Sequence, residues 1–370
     1  MINKKISDQL ESLRGLSALI VLFAHAYQVF INPIYSGLSN IIGLIAQSSV
    51  MIFFVLSGFL ISLSIQNNIK RNSRFCFASF ITSRLNRIYA PLLFSLFIVI
   101  ALALLAQYFF QSSSNQFINQ NLSIARTGFT LTFQEVLAAL TFTNGFIANS
   151  VNSNPVLWSL AYEFWYYILA GLIATDSKFS KFVALILFLL LATFSKTFAL
   201  LSVVWFSGFL IPFIINNNFK SEFNLFGKLL YYPALVLSIM YVLNIKAETI
   251  FHSLILIVFQ ICFGLIFCSY LTKILSGRNT FPPFFKNSAK YSYTLYIIHF
   301  PIFLFIFGVF ETKIVNSLIT ALIIALISSA LLIFISKLLA QKIEMIKLIH
   351  LNQGIKTHVA APPPVGGDRA

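Results

Sequence analysis

LESLRGLSALIVLFAHA, residues 10–26, decides the fold class. Beyond Arg14 the run is apolar and continues to about residue 32, long enough for the ~20 residues that cross a bilayer. It is too long for the core of a signal peptide and it carries Arg14 and His25. It is therefore expected to stay in the membrane as a helix. Arg14 and His25 lie ~16 Å apart along a helix axis and within about 20° of one face. Arg14 then sits at one mouth of the membrane, with His25 above it near mid-depth. Taken singly, Arg14 reads as an interfacial anchor and His25 as a helix–helix hydrogen-bonding group. The paired spacing points instead to a two-part site.

The rest of the chain has the same character. Of its 370 residues only 9% are charged and 58% are hydrophobic, with 42 Phe. Soluble globular chains carry ~25% charged residues. Mean hydropathy is +0.88. These figures exclude a soluble enzyme, a disordered chain and a nucleic-acid-binding module. Ten segments are apolar over a membrane-spanning length: 12–32, 41–65, 88–110, 155–175, 181–198, 199–216, 229–245, 250–272, 291–310 and 314–337. The expectation is an all-α membrane protein of about ten transmembrane helices. Residues 111–154 form a longer hydrophilic stretch. Within it 133–148 is apolar but short, and reads as an interfacial or re-entrant piece. Residues 1–350 form one integral-membrane domain on this reading. The tail 351–370 reads as disordered or as an expression scar.

The excess of 25 basic over 10 acidic residues is a topology signal. With the N-terminus in the cytoplasm, only Arg126, Lys196, Lys246 and Lys313 fall outside, and the other 21 Lys and Arg fall inside. Basic residues concentrate on the cytoplasmic side of membrane proteins. Both termini are thus expected to be cytoplasmic. Cys76, Cys262 and Cys268 are odd in number and have no CxxC spacing, so neither a disulfide framework nor a zinc site is expected.

Ionisable groups at bilayer depth are costly and mark function when they cluster. Glu163 lies in LWSLAYEFWYYIL, residues 157–169, ~12 Å from the helix entrance. There a carboxylate must be protonated, paired or hydrogen-bonded. Trp158, Tyr162 and Trp165–Tyr167 surround it, and an aromatic belt explains Trp158 but not the deeper rings. In YSYTLYIIHFPI, residues 291–302, Tyr293, Tyr296 and His299 recur every third residue and form one polar ridge. In SVMIFFVLSGFLIS, residues 49–62, Ser57 and Gly58 interrupt an apolar run, and Gly58 permits close backbone approach. Arg84 and Arg87, in RLNRIYAP at 84–91, share one helical face. Forked guanidinium groups in that arrangement suit a phosphate-rich ligand.

These five stretches, in this order, resemble the acyltransferase-3 family of integral-membrane O-acyltransferases, over about residues 8–310. The resemblance implies a ten-helix bundle in the bacterial inner membrane. It implies transfer of an acyl group, usually acetyl, from cytoplasmic acetyl-CoA to a sugar hydroxyl across the membrane. The expected acceptor is an extracytoplasmic polysaccharide or lipid-linked glycan, such as lipopolysaccharide O-antigen or exopolysaccharide. Membrane lipids are the other expected partner, with no nucleic acid and no metal. The resemblance assigns Arg14 and His25 to the family hallmark, Trp158 to Glu163 to its WSL-x-x-E motif, and Arg84 and Arg87 to its basic motif. Many relatives carry a fused esterase-like domain, and this chain is expected to be a stand-alone member.

On this reading Arg14, Arg84 and Arg87 bind the coenzyme A phosphates, and the backbone near Ser57 and Gly58 admits the pantetheine arm. His25 is the general base, with an acyl-His intermediate as a variant. Glu163 orients His25 or binds the sugar. Tyr296 and His299 donate to the oxyanion, with Trp158 and Tyr162 as further substrate-binding candidates. A secondary transporter using the buried His, Glu and Arg is the main alternative, although the chain has no internal repeat of the kind many transporters carry. A structural subunit of an envelope polysaccharide machine is a third reading.

Overall fold

A computed structural model describes residues 3–119, 122–217, 219–243, 249–346 and 348–349. Among them there is no β-strand, and the chain is a bundle of helices. Helix α1 spans Lys4–Ala26 and runs on as a π-helical turn, Tyr27–Ile31. Then come α2 (Ser39–Asn72), α3 (Phe77–Phe109) and the short α4 (Phe133–Leu140). They are followed by α5 (Leu157–Ala174), α6 (Lys178–Phe194), α7 (Lys196–Asn216) and the pair α8 (Lys220–Leu229) and α9 (Tyr231–Val242). Helices α10 (Thr249–Leu275), α11 (Ser292–Val315) and α12 (Leu318–Glu344) complete the bundle.

Nine of the described helices are long and apolar enough to cross a membrane, counting α8 with α9 as one span over Glu222–Val242. The tenth expected segment, 181–198, falls mostly on α6, whose 17 residues are one fewer than those of α5, the shortest of the nine. Helix α4 has eight residues, too few to span a bilayer. Its start is fixed by a capping box in which Thr132 and Glu135 exchange side-chain and backbone hydrogen bonds. The tail reading, 351–370, lies outside the described residues.

Two close approaches set the frame around the site. Helix α2 crosses α7 at Gly58 and Gly208. A Cβ at Gly58 would stand 2.1 Å from the Trp205 carbonyl oxygen, and one at Gly208 would stand 2.2 Å from that of Val55. Only residues without a side chain allow this crossing, in which packing replaces the hydrophobic drive that lipid cannot supply. The second is at Pro301 in α11. Proline has no N–H, so the Ile297 carbonyl loses its partner one turn back. Ser95 Oγ on α3 and Asn154 Nδ2 before α5 each donate to it, both at 2.8 Å. The proline thus converts a backbone carbonyl into a junction of three elements, two residues from His299.

The hydrophilic stretch after α3 is also pinned. Glu311, buried near the end of α11, accepts from the backbone N–H of Ile118 (2.9 Å) and Asn119 (2.6 Å). Cys76, Cys262 and Cys268 are all free.

Candidate active site

The ionisable groups collect around two cavities that meet inside the bundle. The first has an empty volume of about 1020 Å³, its mouth included, and is lined by Arg14, Arg84, Arg87, Ser57, Glu163, Tyr167, Tyr293, Tyr296 and Glu344, among others. The second, of about 980 Å³, is lined by His25, Gln28, Asn32, Gln47, Arg126, Trp158 and again Tyr296. Val50 and Tyr296 belong to both linings and form the partition between them.

Connectivity places the two cavities toward opposite ends of the bundle. The first gathers the start of α3, the start of α11 and the end of α12 around Arg14. The second gathers the end of α1, the start of α2 and the approach to α5. The ~16 Å between Arg14 and His25 along α1 links one to the other.

In the first cavity Arg14 Nη2 donates to the Ala289 carbonyl at 3.0 Å, and Arg84 Nη2 donates to Ser64 Oγ at 3.1 Å. The Nε atoms of both arginines are buried without a hydrogen-bond partner, as is the Tyr293 hydroxyl. Buried donors in native proteins are almost always satisfied, so these atoms fit an anionic guest. Two carboxylates face the same space. Glu163 accepts from Ser57 Oγ at 2.5 Å and from the Tyr167 hydroxyl. Glu344, at the end of α12, accepts from Thr294 N (3.3 Å) and Thr294 Oγ1 (2.7 Å) in the first turn of α11. A carboxylate is favoured at that helix terminus by the free N–H groups and the dipole.

In the second cavity the decisive contact is between two imidazoles. His25 Nδ1 lies 2.7 Å from His299 Nε2, and His299 Nδ1 lies 3.0 Å from the Leu295 carbonyl oxygen. A carbonyl oxygen can only accept, so His299 Nδ1 carries a proton. In the neutral ring its Nε2 is then an acceptor, and His25 Nδ1 must donate to it. That leaves His25 Nε2 as a lone pair without a protein partner, on a half-buried ring lining the cavity. Sequence turns this geometry out locally: the helix carrying His25 passes into a π-helical turn two residues later, a feature common beside functional sites.

Arg126 enters the second cavity from the hydrophilic stretch. Its Nε donates to the Asn152 carbonyl (2.9 Å), its Nη1 to the Ala125 carbonyl (2.6 Å), and its guanidinium lies 5.7 Å from the centre of the Phe300 ring. Burial lowers its pKa from the ordinary value but leaves an arginine charged.

The residues singled out in the sequence therefore divide. Arg14, Arg84, Arg87, Ser57 and Glu163 share the first cavity, and His25 and Trp158 the second, with Tyr296 at the boundary. His299 backs His25 from inside the bundle. Glu163 is hydrogen-bonded to Ser57 and Tyr167 rather than to His25. Gly58 lines neither cavity; its close approach serves the packing of α2 on α7. Tyr162 also lies off both linings. Its hydroxyl is 2.6 Å from Ser195 Oγ, which ties α5 to the α6–α7 turn. Sequence reasoning missed Glu344 and Arg126. The first reads as one of several charges in a cytoplasmic tail, and the second as one base in a polar loop. Among the described residues no three His, Cys, Asp or Glu side chains come together as a metal site.

A family model described as an acyltransferase domain matches residues 7–338. A protein of Haemophilus influenzae described as uncharacterized is 36% identical over 152 residues, covering 38% of this chain and 58% of that protein. The chain thus spans less than two thirds of the length of that relative. No solved structure matches. With the matched region taking in every residue that lines the two cavities except Glu344, the chain belongs to the acyltransferase-3 family.

Proposed function

We propose that this chain is a multi-pass acyltransferase of the bacterial inner membrane. It moves an acetyl group from cytoplasmic acetyl-CoA to a hydroxyl of an extracytoplasmic glycan, of the lipopolysaccharide or exopolysaccharide kind. One observation carries the reading: an arginine-lined cavity and a histidine-lined cavity meet at Tyr296. A phosphate-rich donor enters one, a sugar enters the other, and only the thin arm of the donor needs to pass between.

The donor's phosphates bind Arg14, Arg84 and Arg87, satisfying the free Nε atoms through charge-assisted hydrogen bonds. The pantetheine arm runs past Ser57 toward Tyr296 and brings the thioester to the partition. A sugar hydroxyl in the second cavity gives its proton to His25 Nε2 as its oxygen attacks the thioester carbonyl carbon. A tetrahedral intermediate forms, and the Tyr296 hydroxyl donates to its oxyanion. The C–S bond then breaks. The leaving thiolate takes the proton from His25, and the ester and free thiol depart on opposite sides. His299 has no proton to spare in this scheme, since Nδ1 is committed to Leu295 and Nε2 accepts from His25. Its part is to hold the tautomer of His25 and to share the positive charge of the imidazolium. Direct transfer uses His25 as base rather than as nucleophile, which the protein-facing Nδ1–H and the cavity-facing Nε2 favour.

The test supplies radiolabelled acetyl-CoA to inverted membrane vesicles and measures label in extracted glycan. Wild-type vesicles should label it. His25→Ala vesicles should lose ~10²–10⁴ of the rate, the usual worth of a positioned base. Label incorporated equally by both overturns the reading.

A further inference from the structure

We infer that the acceptor sugar is anionic, and that Arg126 is the residue that selects it through a carboxylate or phosphate on that sugar or on its immediate neighbour. The inference rests on the second cavity being the acceptor site, as proposed above, and adds the chemical class of the acceptor.

The charge of the second cavity points to an anion. Its polar lining consists of amides, hydroxyls and the indole of Trp158, which suit a sugar, and includes no Asp or Glu. Arg126 is its one formally charged residue when His25 is neutral, and among the described residues no acidic side chain pairs with it. Placing an uncompensated guanidinium in a partly desolvated cavity is costly, and an anionic ligand removes that cost. The donors are also arranged for it. A guanidinium has five N–H groups. Two are spent on the Asn152 and Ala125 carbonyls, which fix the plane of the fork. The three that remain, on Nη1 and Nη2, offer a two-pronged edge that matches carboxylate or phosphate oxygens.

The position then relates the anion to the reacting hydroxyl. The Phe300 ring lies under Arg126 and meets the His25 ring edge-on, with centroids 5.2 Å apart. One phenyl ring thus separates the cation from the base. A group held by Arg126 and a hydroxyl presented to His25 Nε2 belong to the same sugar or to adjacent ones. A neutral sugar would offer the fork only hydroxyl and ring oxygens and leave its charge uncompensated.

The test is made in the cells that encode the chain, deleted for it and complemented with wild type, Arg126→Gln or Arg126→Lys. Envelope glycans are fragmented by mass spectrometry. The expected result is a chain-dependent acetyl group on a fragment that also bears a carboxylate or a phosphate, and the fragment mass tells which. Arg126→Gln should lower the acetylated fraction by about tenfold or more, the scale of one charged hydrogen bond. Arg126→Lys, which keeps the charge, should restore part of it. An acetyl group found only on sugars with neither anion overturns this inference while leaving transfer to glycan intact, as does wild-type acetylation by Arg126→Gln. A chain-dependent acetyl group on no glycan at all overturns the proposed function and this inference together. The mapping of the wild-type product decides the matter even where the glutamine variant does not accumulate.

Discussion

His25 and His299 show how one proton fixes the geometry of an imidazole pair. The Leu295 carbonyl demands a proton on His299 Nδ1, His299 Nε2 then demands one from His25, and the remaining lone pair belongs to a ring that lines the cavity. Replacing His299 by Ala removes the acceptor that orders this chain. His25 then samples both tautomers and turns about its Cβ–Cγ bond. The expected outcome is a fall in kcat of about 10²-fold, the cost of a mispositioned reacting group, with KM for acetyl-CoA unchanged because the arginine cavity is untouched. A rise in KM with kcat intact would instead give His299 a part in donor binding. Little of this pairing was legible in the sequence. The depth of His25 and His299 could be counted along their helices, but their 274-residue separation hides the contact. Glu163 illustrates the reverse. Its place beside the basic motif follows from Ser57 and Tyr167, neighbours that a sequence names without saying which of them its carboxylate meets.

Helices α2 and α7 hold Ser57 in place through their glycine crossing, and the adjacent Gly58 is where that element can be broken. Gly58→Val puts its Cβ 2.1 Å from the Trp205 carbonyl oxygen and adds two methyl groups to an already closed crossing. Since Trp205 Nε1 also donates to Ser57 Oγ at 3.2 Å, the separation of the two helices moves the Glu163 cluster as well. Overpacking of this kind costs about 1–3 kcal/mol, so thermal unfolding in detergent should report a clear loss of stability. Gly43→Ala on the same helix, where a Cβ meets nothing within 4 Å, is the control and should unfold with the wild type. Equal melting of both variants would remove the crossing from the account of what positions Ser57. At this scale the sequence was more informative. Apolar length located nine of the ten expected spans on helices able to cross a membrane, and the tenth, 181–198, mostly on the shorter α6, because a bilayer permits few alternatives to a helix of about 20 residues. The division of 220–243 into α8 and α9, and the pinning of the polar loop by Glu311, depend on contacts between distant segments and left no local trace.

For the molecule as a whole, the proposed function requires that the two cavities open on opposite sides of one membrane, the arginines toward the cytoplasm. The distribution of charge argues for this orientation. Arg14, Arg84 and Arg87 lie at the same end as the α2–α3 and α10–α11 connections, where Arg71, Arg74, Arg278, Lys286 and Lys290 gather. At the other end the described residues offer only Arg126, Lys196 and Lys313. Such a bias sets insertion by retaining the basic loops on the cytoplasmic side. A thiol-labelling experiment reads it directly. Cys262 and Cys268 are buried, so a Cys76→Ser background leaves few reactive thiols. In that background Gln134→Cys on α4, an exposed position at the histidine end, should react with a membrane-impermeant maleimide in intact spheroplasts. Arg278→Cys, exposed at the arginine end, should react only after the membrane is permeabilised. The opposite pattern would put the arginines of the first cavity outside, where no acetyl-CoA is made, and transfer across the membrane in the proposed direction could not occur. A mixed pattern at both positions would mean two orientations, which a charge bias this one-sided is expected to prevent.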